Sequence, residues 1–132
     1  HLRTIIEATG VTPAVNQIEL HPYLCQEQLR ALHDSLGIVT ESWSPLGRGR
    51  LLEEPVVRDV AATLGVTPAQ VVIRWHVQHG LVVIPKTTHC ERMRVNADVF
   101  SFGLSREQMA AIDACDRGLR TGSHPDRVQE RP

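Results

Sequence analysis

Leu81-Val82-Val83-Ile84-Pro85-Lys86-Thr87-Thr88-His89-Cys90-Glu91-Arg92 is the stretch whose reading decides the fold. Its first four residues are an unbroken apolar run, as a parallel strand covered on both faces requires, and Pro85 ends it. Thr88 and Glu91 then stand at capping-box spacing, which predicts a helix carrying Arg92 and Asn96. A strand running straight into a helix is the repeating piece of a parallel α/β sheet.

Upstream the same piece recurs twice. Ala14–Leu20 alternates small or apolar with polar residues, as a strand with one wet face does, and His21-Pro22 closes it. Gln26–Leu36 places Leu29, Leu32 and Leu36 at helical spacing before Gly37. Ile38–Trp43 is a second strand, and Ser44–Arg50 a glycine-rich loop. Helices are predicted over Pro55–Leu64 and from Thr67 to His79, the latter with Pro68 at its first position and Gln70 closing a capping box. An amphipathic helix opens the chain before Gly10. Ser105 and Gln108 open a last helix, with Met109, Ile112 and Cys115 on one face. Residues 117–132 have the Gly, Pro and charge content of an exposed C-terminal tail, leaving 1–116 as the folded unit. Strands alternating with helices give an α/β fold. Three parallel strands alone would expose two edges, so a larger parent fold is expected, from which the chain's start is truncated.

Composition narrows the function classes. The 132 residues are 42% hydrophobic and 22% charged with a net charge of -1, which suits a globular domain and offers no basic field for nucleic acid. No apolar run has membrane length. Three cysteines at wide spacing fit neither a disulfide framework nor a zinc site, so a reducing cytoplasm is the expected compartment. Lys86 is the one lysine among 14 basic residues, which marks its position.

In parallel α/β folds ligands sit at the carboxyl ends of the strands. Those ends carry Gln17 and Glu19, then Trp43-Ser44, then Lys86-Thr87-Thr88 followed by Arg92 and Asn96. Lys86 and Thr87 precede a helix N-terminus, which favours an anion, and Arg92 and Asn96 share one helix face. An ammonium and a guanidinium together suit a phosphate monoester. The same residues are equally explained as a helix cap and a solvated charge. Trp43 could stack on a planar ring, although core packing is the commoner fate of a strand tryptophan, and Gln17 could bond a carboxamide. His21 and Tyr23 read more simply as a turn than as an acid-base pair. His76 and His79, three apart on a helix, lack a third metal ligand, so no metal site is assigned. Gly47 and Gly49 begin a dinucleotide fingerprint that Leu52 breaks.

Val15-Asn16-Gln17-Ile18-Glu19-Leu20-His21-Pro22-Tyr23, Glu41-Ser42-Trp43-Ser44-Pro45-Leu46-Gly47, and Val83-Ile84-Pro85-Lys86-Thr87 with Glu91-Arg92 and Asn96 closely resemble the last three strands and cofactor motifs of the aldo-keto reductases. The likeness extends to bacterial members similar to 2,5-diketo-D-gluconate reductases, through Ile112-Asp113-Ala114 and Ser123-His124-Pro125-Asp126. It implies the C-terminal portion of a (β/α)8 TIM barrel, holding the last three strands and their helices. It also implies NADPH as cofactor. Gln17 then matches the residue bonding the nicotinamide carboxamide, and Trp43 the aromatic stacked on the nicotinamide, where tyrosine is commoner. Ser44 and Leu46 match the loop along the diphosphate. Lys86, Thr87, Arg92 and Asn96, with Thr88 beside them, match the surroundings of the 2′-phosphate and adenine. The family's catalytic Asp, Tyr, Lys and His motifs do not occur here, so no catalytic residue is assigned. The resemblance implies a parent enzyme reducing an aldehyde, ketone or keto sugar, expected to be monomeric at full length. A non-catalytic NADPH-binding sensor or scaffold on the same barrel is the alternative.

Overall fold

A computed structural model describes residues 1–127. Helix α1 (Leu2–Thr9) leads to strand β1 (Val15–Glu19), α2 (Glu27–Leu36) and β2 (Val39–Trp43). A stretch of 3-10 turns over Gly47–Glu53 connects to α3 (Pro55–Leu64) and α4 (Pro68–Gln78). Strand β3 (Val82–Val83), α5 (Cys90–Ala97), α6 (Arg106–Asp113) and a short 3-10 turn at Pro125–Arg127 complete the order. The strands form one parallel sheet in the order β1-β2-β3, with Gln17 opposite Glu41, Glu19 opposite Trp43 and Glu41 opposite Val82.

Two of the three predicted capping boxes form. The Thr67 and Ser105 side chains each accept the N–H of the residue three along, and Gln70 and Gln108 answer in return. The third does not. α5 begins at Cys90 with His89 as its cap residue and no side-chain cap bond, because the Thr87 hydroxyl takes the His89 N–H at 3.2 Å in a local turn. β3 is also shorter than the apolar run of 81–84 suggested.

The two sheet faces differ sharply. The face carrying Leu20 and Ile18 packs with α3, α4 and α6 around Val57, Val71, Val72, Trp75 and Ile112, all five of them fully buried. Trp75 donates its indole N–H to Asp113 at 2.7 Å, so α4 and α6 are tied by a polar bond as well as by packing. On the opposite face Val15, Val39, Val82 and Ile84 are 43–49% exposed. The run at 82–84 is therefore covered on one side here, not both.

Residues 123–127 are exposed, whereas 119–122 are partly buried. The Leu119 N–H is bonded to the Tyr23 carbonyl at 2.9 Å, and Thr121 and Gly122 are bonded to Glu19. The tail beyond 127 lies outside the described residues. Among the described residues no single helix is long and apolar enough to cross a membrane.

Candidate functional site

Two groups of candidate residues stand at the carboxyl side of the sheet. The first surrounds a cleft of about 1140 Å³ lined by Gln17, Glu19 and Trp43 from the strands, Arg48 from the loop after β2, and Arg120 and Gly122 from the C-terminal segment. α1 and α2 add Leu2, Ile5, Leu29 and Leu32 to its wall. The second group is Lys86, Thr87, Thr88, Arg92 and Asn96 around the start of α5, none of which lines that cleft.

Gln17, Glu19, Glu41 and Trp43 share one sheet face because strand side chains alternate and parallel neighbours in register point the same way. Gln17 is exposed, and its amide donates to Glu41 at 2.5 Å, leaving its carbonyl oxygen available. Trp43 is half-buried, so the ring neither vanishes into the core nor lies bare.

Backbone shape explains how the chain turns after Trp43. Ser44 and Arg48 hold φ at 51° and 56°, left-handed values costly for residues with a Cβ, and the Gly47 N–H returns to the Ser44 carbonyl at 2.9 Å. Such strain is retained where surrounding structure over-determines it, often beside ligands. Leu46 is partly buried and packs its side chain against the core.

Glu19 is the most engaged side chain of the cleft. Its carboxylate is fully buried and accepts the Thr121 N–H at 2.6 Å, the Thr121 hydroxyl at 2.5 Å and the Gly122 N–H at 3.1 Å. Arg120 stands 3.3 Å away and His21 3.2 Å. Burial opposes ionisation, but these donors, Thr121 foremost, outweigh it and hold the carboxyl below its usual value. Burial conversely lowers His21, against the pull of Glu19, so the ring tends to stay neutral.

The α5 group has a different character. Lys86 and Arg92 are exposed, and among the described residues neither is in an ion pair. Thr87 and Asn96 are partly buried beside them, and Thr88 is exposed. No side chain caps the N-terminus of α5. Two free cations thus stand at an uncapped helix start, an arrangement receptive to an anion.

The other candidates are occupied by packing. Tyr23, the chain's one tyrosine, is buried and donates to Glu54 at 2.6 Å, and burial, helped by Glu54, pushes its hydroxyl up to about 12. His76 is buried with its ring nitrogens 2.8 and 3.2 Å from the carbonyls of Val72 and Leu20. His79 bridges Asp113 at 2.9 Å and Arg30 at 3.1 Å. Sequence reasoning placed Glu19 at a strand end but missed its partners. Residues 120–122 carry no local signal, since the bond to Thr121 spans 102 positions.

The profile of the aldo/keto reductase family matches residues 1–117. The chain is 54% identical over 130 residues to 2,5-diketo-D-gluconic acid reductase B of Corynebacterium, and 48% identical over 128 residues to methylglyoxal reductase DkgA of Escherichia coli. These alignments cover 98% and 96% of the chain but 47% and 46% of the relatives, so it spans about half their length. A crystal structure of a Gox0644 variant in complex with NADPH superposes with a TM-score of 0.95 at 50% identity, over 98% of this chain and 48% of that one. The three parallel strands are accordingly part of a (β/α)8 barrel, and the chain belongs to the aldo/keto reductase family.

Proposed function

We propose that this chain supplies most of the NADPH site of an enzyme that reduces a small carbonyl compound, an aldehyde, ketone or keto sugar, to an alcohol. The observation that carries the reading is the pair of exposed cations, Lys86 and Arg92, without ion pairs among the described residues, at a helix start left without a side-chain cap. That donor set fits a phosphate monoester: a point charge, a forked guanidinium and free backbone N–H groups. The complex of Gox0644 with NADPH and the oxidoreductase relatives support the same cofactor.

The cofactor, when bound, supplies the hydride. This chain's own residues bind and orient it. Lys86, Thr87, Arg92 and Asn96, with Thr88 at the edge of the group, would hold the 2′-phosphate and adenine end. Ser44 and the Leu46 backbone would follow the diphosphate, and Gln17 and Trp43 would receive the nicotinamide. The proton donor is not assigned to this chain. Tyr23 is unsuited to it, because its hydroxyl is committed to Glu54 and held at about 12.

Titrating NADPH and NADH into the purified chain tests the reading. NADPH is expected to bind more tightly. Arg92→Ala should reduce that preference roughly ten-fold or more, as loss of a charge-assisted contact of about 1.5–3 kcal/mol implies. A preference unchanged by the substitution would show the phosphate pocket to be wrongly placed. The chain alone is expected to leave NADPH unconsumed when mixed with a simple aldehyde, and measurable turnover would overturn that assignment.

A further inference from the structure

We propose that Glu19 is a positioning residue for Trp43: it clamps residues 120–122 across the carboxyl ends of β1 and β2 so that Gly122 braces the indole ring at the cleft. What the ring would then present to a ligand rests on the reading above. The clamp itself rests on geometry alone.

Glu19 and Trp43 are register partners on one sheet face, so their side chains are neighbours before any loop is considered. Gly122 touches both. Its N–H lies 3.1 Å from each Glu19 carboxylate oxygen, and a Cβ built on it would fall 2.3 Å from Cη2 of Trp43 and 3.0 Å from Cζ3. A side chain there would force the indole or the segment to shift. The indole edge is therefore in contact with backbone that the carboxylate holds in place.

A tie serving merely to fasten the tail could be made anywhere along β1. This one is made at the single position of β1 whose partner is the cleft's aromatic, and it satisfies the carboxylate through the very residue that abuts the ring. It is also complete: Thr121 provides two donors, Gly122 one, and His21 and Arg120 flank the remainder. A buried carboxylate so furnished is a stiff anchor, since moving the segment would strand a charge out of water.

The chain has two tryptophans, so an ¹⁵N-labelled sample gives two indole N–H resonances. Trp75, fully buried and bonded to Asp113, reports the integrity of the core, and Trp43 reports the clamp. Glu19→Ala and Gly122→Ala are each expected to shift the Trp43 resonance and leave that of Trp75 in place. Glu19→Gln keeps an acceptor oxygen for Thr121 and Gly122 and should restore most of the ring's position. If Glu19→Ala does not fold, Gly122→Ala, in the partly buried outer segment, carries the test.

Binding supplies a second readout. NADPH affinity should fall roughly two- to ten-fold in both alanine variants, the scale of a weakened aromatic contact, while adenosine 2′-phosphate, which has no nicotinamide, should bind as before. Equal loss for both ligands would mean a general structural role and overturn the proposal, as would an unmoved Trp43 resonance in folded Gly122→Ala. A wild-type chain that binds no NADPH, with the ring shifts as expected, would overturn the cofactor reading and support the clamp.

Discussion

His76 shows what a single buried side chain contributes. Both of its ring nitrogens face carbonyl oxygens, an environment that would favour the doubly protonated ring, yet burial dominates and pushes the imidazole down to about 4. The neutral ring donates from one nitrogen, and the shorter contact, to Val72, marks Nδ1 as the better-placed donor. Because the folded-state value lies below the usual 6.5, the unfolded chain binds the extra proton first. Stability is then full above about pH 6.5 and is lost as pH falls toward 4, by about 3 kcal/mol from this group. His21 and His33, also lowered chiefly by burial, act in the same direction. Urea midpoints at pH 7.5 and 4.5 should differ markedly in the wild type and less in His76→Gln. An identical pH dependence in the variant would place the loss elsewhere.

Among the elements, α5 is the one whose stability and binding should trade against each other. α4 and α6 each close a capping box, and Thr67→Ala is expected to cost about 1 kcal/mol in urea unfolding. α5 lacks such a cap, so His89→Asp should raise stability by about 0.5–1 kcal/mol while weakening NADPH, because a carboxylate would occupy the N–H groups and repel the phosphate. Higher stability with unchanged NADPH affinity would separate the helix start from the cofactor. The sequence pattern misled at this helix because two hydroxyls compete for it. Thr87 and Thr88 are adjacent hydroxyls before the same acidic residue, and a local turn claims the first of them, moving the helix start one residue onward. Where no rival hydroxyl exists, as at Thr67 and Ser105, spacing alone located the cap. Helix positions were equally legible, since periodicity and glycine stops are local: Gly37 takes the left-handed φ of 68° that ends α2. The cleft was half legible. Gln17 and Trp43 stand at strand ends that the alternation marks, whereas the segment that completes the wall is recognisable only after folding brings it to Glu19.

For the molecule as a whole, the consequential asymmetry is between the two sides of the sheet. One side is sealed by helices, and the other exposes Val15, Val39, Val82 and Ile84 across all three strands or their ends. Contiguous apolar surface of this kind attracts hydrophobic dyes and other chains. The isolated chain is expected to enhance the fluorescence of an anilinonaphthalene dye at neutral pH, and Val39→Thr with Val82→Thr should reduce the signal without lowering the melting temperature. An unchanged signal would show that the dye binds elsewhere. The bond from Glu19 to Thr121 also orders events in time. During synthesis at roughly 5–20 residues per second, the carboxylate emerges about 5–20 seconds before its donors do. Throughout that interval it must stay hydrated, and the nascent sheet end must stay open. The pocket wall can therefore close only after residues 120–122 have emerged, and a nonsense codon ahead of position 121 would leave the glutamate without the donors that hold it.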